Sequence, residues 1–149
     1  TFQLVGVSDV RLLEPMGRAL QALSIRHGLV VHGAVGLDEV TTTGPTHALE
    51  VRGGSLRPLR LSPESVGLPR SRPEALHGGD APANAQIARQ VLQGAPSPQR
   101  DIAAFNAGCA LYIADRVPTI QQGVAEAIAA LESGRAVQLF NRAIELSRS

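Results

Sequence analysis

Lysine is missing from this chain: all fourteen basic residues are arginine. That excludes Schiff-base chemistry and a phosphate-loop lysine within these residues. Cysteine is nearly as scarce. The one thiol, Cys109, can form neither an internal disulfide nor a cysteine-rich zinc site. No apolar run approaches the roughly 18 residues that a bilayer-spanning helix needs. Charge of one sign is lacking too, because the net charge is +1, and such a balance creates no strong field towards nucleic acid or an anionic membrane. The start, Thr1-Phe2-Gln3-Leu4-Val5, has no basic leader and no methionine, so a fragment is expected rather than a secreted precursor.

What remains, 149 residues with 44% hydrophobic and 18% charged content, is the make-up of one globular domain able to bury a sizeable core. Gln3-Leu4-Val5-Gly6-Val7 reads as a short strand, with Ser8-Asp9 suited to a helix entrance. Leu13, Met16, Leu20 and Leu23 recur at helical spacing and predict one apolar face, in a helix starting near Pro15. Leu29-Val30-Val31-His32 is a second strand closed by Gly33, which makes a parallel crossover unit. Residues 46–52 and 55–62 flank Gly53-Gly54, a hairpin signal, and Pro58 assigns the second of these strands to an edge or a bulge. Residues 62–81 read as an irregular connection.

The last third is helical. Asp80, Ser97 and Thr119 each introduce a helix, and Val137, Phe140 and Ile144 mark a fourth. The fold expected is α/β: the C-terminal portion of a mostly parallel sheet flanked by helices, with an antiparallel edge hairpin. The two parallel-type strands are apolar on both faces, as in a covered sheet, so further strands are expected from sequence or chains outside these residues.

Candidate chemistry centres on Asp38-Glu39, just past the second strand, since open α/β sheets bind ligands beyond the carboxyl ends of their strands. Two adjacent carboxylates suit magnesium, which takes one or two of them together with water and substrate phosphates. The same dipeptide is commonly only solvated. Of the histidines, His27 and His32 lie five apart and face opposite sides of a strand. His32 is expected to be a hydrogen-bonded structural residue, and His47 and His77 to lack partners. Cys109 sits on an apolar helical face and is expected to be inert. In His77-Gly78-Gly79-Asp80 the aspartate is expected to cap a helix rather than to let the glycines cradle phosphate. Arg70, Arg72 and Arg100 could meet phosphate but are read as solvated.

Leu29-Val30-Val31-His32-Gly33, then Gly36-Leu37-Asp38-Glu39-Val40-Thr41 and Thr43-Gly44-Pro45-Thr46, resemble the anthranilate phosphoribosyltransferase pattern. Gly67-Leu68-Pro69-Arg70, Leu76-His77-Gly78-Gly79-Asp80-Ala81, Asn84-Ala85, Arg100-Asp101, Asn106-Ala107, Ala110-Leu111-Tyr112, Gly123-Val124 and Ser133-Gly134 follow in family order. The resemblance implies transfer of phosphoribosyl from phosphoribosyl pyrophosphate to anthranilate, in tryptophan biosynthesis, with Mg2+ bound by Asp38 and Glu39. It also implies that the Gly-Thr-Gly-Gly-Asp pyrophosphate loop, the Lys-His-Gly-Asn segment, the anthranilate-contacting arginine and a small helical domain lie upstream of Thr1. The partners expected are that N-terminal half and, in the complete enzyme, a second copy in a homodimer, with neither nucleic acid nor membrane; the compartment expected is the cytoplasm. Two rival readings share the fold, a pyrimidine nucleoside phosphorylase-like enzyme and a non-enzymatic nucleic-acid binder. The Leu-Asp-Glu and Thr-Gly-Pro-Thr segments favour the anthranilate branch, and the charge balance disfavours the nucleic-acid one.

Overall fold

The structure, a computed structural model, describes residues 1–147. Strand β1 (Phe2–Gly6) leads through a 3-10 turn (Val10–Leu12) into helix α1 (Leu13–Ala22) and returns in β2 (His27–Gly33), parallel to β1. A loop spanning 34–45 feeds the antiparallel hairpin β3 (Thr46–Arg52) and β4 (Ser55–Leu61). The sheet order is β1-β2-β3-β4, with one parallel pairing and two antiparallel ones. Helices α2 (Ala81–Leu92), α3 (Pro98–Ile113), α4 (Ile120–Glu132) and α5 (Arg135–Ser147) complete the described chain.

The hairpin forms where the glycines require it. Gly53 and Gly54 both have positive φ, 54° and 78°, which glycine adopts without the steric cost of a Cβ and which matches the twist of the strands. Counting from the Arg52–Ser55 pair that closes this two-residue turn, Leu49–Pro58 falls on a non-hydrogen-bonded pair. The proline nitrogen therefore faces outward on β4, where no ladder bond is lost. Helix entrances follow the same local logic: Asp80 Oδ1 accepts from Ala83 N, Ser97 Oγ from Arg100 N and Thr119 Oγ1 from Gln122 N.

Two apolar clusters lie on the two faces of the sheet. Leu29, Val31 and Ala48 pack with Phe105, Cys109 and Val124 of α3 and α4. Val30, Leu49 and Val51 pack with Leu20 and Ile25 on the α1 side. β2 is thus covered on both faces, as its unbroken apolar run requires. β1 is not: it forms the open edge of the sheet, with Phe2 39% exposed. The face expected of α1 also needs correction. Leu20 is buried, but Leu23 and Met16 are exposed, and Gly17 takes the central contact. A Cβ there would lie 2.4 Å from Leu49 Cδ2, so the helix meets the sheet by its backbone, which a search for large apolar residues overlooks. α5 buries none of its side chains, Phe140 included.

At the N-terminal end of β2 a polar network crosses the α3 face. His27 is fully buried, with Nε2 2.9 Å from Glu50 Oε1 and Nδ1 3.3 Å from Asp115 Oδ1. Tyr112 Oη donates to Glu50 Oε1 at 2.7 Å, and Arg57 donates twice to Glu50 Oε2 at 2.9 and 2.7 Å. Asp115 in turn pairs with Arg26 and Arg52. Burial alone would raise the Glu50 carboxyl, but the hydrogen bonds from Tyr112, Arg57 and His27 outweigh it and hold the group below its ordinary value of 4.5. A carboxyl so depressed stabilises the fold above that ordinary value and loses its contribution as pH falls through the lowered one. Glu50→Ala, which strands His27 and Tyr112, is expected to cost about 2–3 kcal/mol in urea denaturation, the exposed Arg57 contributing little of that. Glu50→Gln is expected to flatten the acid limb of stability below about pH 4.5.

Candidate functional site

The parallel strands β1 and β2 end side by side, with Val7 N donating to Val31 O at 2.9 Å. The chain leaves β2 through a sharp turn in which Val35 (φ 57°) and Gly36 (φ 81°) are both left-handed. For a β-branched residue that conformation is strained by roughly 1–2 kcal/mol. The turn is closed by Gly33 N donating to Leu37 O at 2.7 Å and Ala34 N to Pro45 O at 3.0 Å. It folds the segment 37–40 back over the ends of both parallel strands.

Two glycines admit that segment. A Cβ on Gly6 would lie 1.5 Å from Asp38 O, and one on Gly33 would lie 2.5 Å from Glu39 O. Neither strand end tolerates even a methyl group, so the backbone of the Asp-Glu pair rests directly on β1 and β2. The third anchor is Val40, whose side chain is fully buried in the α3-face core. Its backbone N and O are both bound by the amide of Asn106 on α3, at 3.1 and 2.7 Å.

The two carboxylates therefore emerge from a fixed backbone into solvent. Among the described residues neither takes part in an ion pair or a side-chain hydrogen bond. Partial burial pushes the Glu39 carboxyl up, and the neighbouring Asp38 charge adds to the shift. Asp9, past the end of β1, is not a third member. It caps the 3-10 turn and is held by Arg11, whose side-chain and backbone hydrogen bonds bring its carboxyl to about 2. Among the described residues no group of three or more His, Cys, Asp or Glu could hold a metal. Two unpaired carboxylates on a rigid carrier fit one kind of ion, a hard divalent cation that takes only part of its shell from protein and the rest from water and phosphate oxygens.

The other residues considered from sequence are placed elsewhere. His32 Nδ1 lies 2.9 Å from Val7 O, so it ties the two strand ends together as a structural residue. His27 belongs to the network at the opposite end of β2. Arg100, 14% exposed, is committed to Asp101 at 2.8 Å with Glu132 nearby, and Arg70 pairs with Glu64; neither is a free phosphate ligand. Asp80 caps α2 as expected. A cavity of about 730 Å³ among α2, α3, α4 and α5 is lined chiefly by alanine and leucine, with Glu126 and Arg135 as the charged residues of its lining. Asn106 was noted only as part of the Asn106-Ala107 family segment, and its contact with Val40 was not foreseen, since that partner lies 66 residues away. A further signal was an amide in a helical run otherwise rich in alanine.

The family model described as glycosyl transferase family, a/b domain, matches residues 1–137, and the chain belongs to that family. Its relatives at 40–46% identity are anthranilate phosphoribosyltransferases. One from Rubrobacter xylanophilus is 46% identical over 147 residues, covering 98% of this chain and 43% of that protein. The crystal structure of the Thermus thermophilus enzyme superposes with a TM-score of 0.88 at 40% identity, over 97% of this chain and 42% of that one. The Saccharomyces cerevisiae enzyme in complex with PRPP and Mg shares the fold, with a TM-score of 0.83 at 23% identity over 93% of this chain and 40% of that one. The chain thus spans less than half the length of the relatives it matches. The family and the α/β fold inferred from sequence are both borne out.

Cys109 is wholly buried, and burial pushes its thiol up to about 12, so it stays protonated and unreactive at neutral pH. Iodoacetamide at pH 8 is expected to modify it at least about 100-fold more slowly in the native chain than in urea, followed by mass spectrometry. Equal rates would place the thiol in an open environment.

Proposed function

We propose that these residues form the C-terminal part of the α/β domain of an anthranilate phosphoribosyltransferase, with Asp38 and Glu39 as protein ligands to Mg2+. The observation that carries the proposal is the carboxylate pair itself. It stands at the carboxyl ends of two parallel strands, where this sheet architecture binds ligands. It is fixed by Gly6, Gly33 and Val40, and among the described residues no cationic side chain pairs with it. When bound, magnesium supplies positive charge against the phosphate oxygens of the pyrophosphate leaving group.

The work of this chain is to present two carboxylates at a constant separation from the strand ends. The cation and the diphosphate ester are then met by a backbone already in place. The rest of the family fold supplies the pyrophosphate loop and the anthranilate contacts. The open edge of β1, with Phe2 at the surface, supports further sheet beyond it, and the shorter span relative to the relatives agrees. A homodimer of the complete enzyme, at work in the cytoplasm, belongs to the same proposal. Among the described residues no helix is long and apolar enough to cross a membrane.

The 149 residues alone are expected to give no turnover with anthranilate, phosphoribosyl pyrophosphate and Mg2+, followed by loss of anthranilate fluorescence. Turnover is expected when the preceding half of the Rubrobacter xylanophilus relative is co-expressed with them. Activity of the chain by itself would contradict the division of labour proposed here.

In the complemented enzyme, Asp38→Ala with Glu39→Ala is expected to raise the Mg2+ concentration for half-maximal rate by about 10-fold or more. An unchanged Mg2+ dependence would remove the pair from the mechanism.

A further inference from the structure

We propose that Asn106 is a positioning residue for the Asp38–Glu39 pair, setting the direction in which the two carboxylates leave the fold. The inference rests on the cation reading above and concerns how that site is held.

The geometry is specific to an amide. Asn106 Oδ1 accepts from Val40 N at 3.1 Å, while Nδ2 donates to Val40 O at 2.7 Å and to Ile102 O at 3.0 Å. One oxygen faces a donor and one nitrogen faces two acceptors, so only one orientation of the amide satisfies all three contacts. Both backbone polar groups of Val40, the residue next to Glu39, are thus bound by a single side chain. The bond to Ile102 O, one turn back on α3, fixes the amide to its own helix. Val40's side chain is locked in the core below. Between that clamp and the carboxylates only the backbone of Asp38 and Glu39 remains, and Gly6 and Gly33 press on its carbonyls from the strand side.

Helix propensity alone does not explain this residue. Asn106 lies inside α3, flanked by Ala103, Ala104, Ala107 and Ala110, where asparagine costs roughly 0.5 kcal/mol of helix propensity relative to alanine. Among the described residues, its hydrogen bonds outside α3 all go to the loop that carries the acidic pair. A local preference broken inside a regular element, with its compensation at a candidate site, is the pattern of a functional constraint. Residues that orient metal-binding side chains characteristically change metal affinity about 10–100-fold when replaced.

The test is a Mn2+ titration of the isotopically labelled chain, followed by paramagnetic broadening of backbone amide signals, together with amide exchange at Val40. In the unmodified chain Mn2+ is expected to broaden Asp38, Glu39 and Gly6 first. Asp38→Asn with Glu39→Gln is expected to abolish that local broadening. Asn106→Leu keeps the volume and the helix. It is expected to raise the Mn2+ concentration required by about 10-fold and to speed Val40 exchange, with signals from the α3–α4 core unmoved. Should the leucine variant unfold, Asn106→Ser carries the same test. Broadening lost in the carboxamide double variant but unchanged in the Asn106 variant overturns this inference alone. Broadening that persists at residues 38 and 39 in the double variant overturns the cation reading and this inference with it.

Discussion

The structure depends on a contact between main chains. The carbonyl oxygens of Asp38 and Glu39 occupy the space that side-chain carbons would fill on Gly6 and Gly33. A loop with no regular hydrogen-bonding pattern is thereby seated on the ends of two strands as closely as a third strand would be. Protein interiors are dense enough that such a seat cannot shift by a few tenths of an ångström without disturbing its neighbours. The acidic pair is consequently part of the sheet's rigid body, although it lies on a loop exposed to solvent. Strain at Val35 accompanies the turn that makes this possible.

Most of the architecture was legible because it is set locally. Each helix cap, at Asp80, Ser97 and Thr119, acts on a donor three residues away. The Gly53-Gly54 turn, likewise, needs nothing but its own φ angles. β2 announced itself by an apolar run suited to burial on both sides. The reading of α1 failed because four large apolar residues at helical spacing outweighed one glycine. The helix approaches the sheet through Gly17, where the absence of a side chain is the packing feature.

The carboxylate pair was singled out from sequence, yet the contacts that seat its backbone were not. Asn106 reaches Val40 across 66 residues, and His27 reaches Asp115 across 88. Spacing along the chain carries no trace of either contact. A weaker clue existed in Ala48-Leu49-Glu50-Val51, where a charged residue shares the strand face of Ala48 within an otherwise apolar run. Such a residue must find partners inside, and it does so in the chain's lone tyrosine, His27 and Arg57. The internally satisfied network and the open carboxylate pair thereby lie at opposite ends of β2. At one end charges are satisfied within the chain; at the other they are left open to solvent.

The two borders of the sheet are likewise unequal. On β4 the nitrogen of Pro58 points outward without a hydrogen, flanked by the arginines at 57 and 60. Such a border resists adhesion of any further strand. β1 has no proline and carries no charge. Growth of this sheet, whether during synthesis, assembly or unwanted aggregation, therefore has a single permitted direction, away from the hairpin. A preparation of this chain prone to clumping should be curable by charges introduced along β1, and indifferent to them along β4.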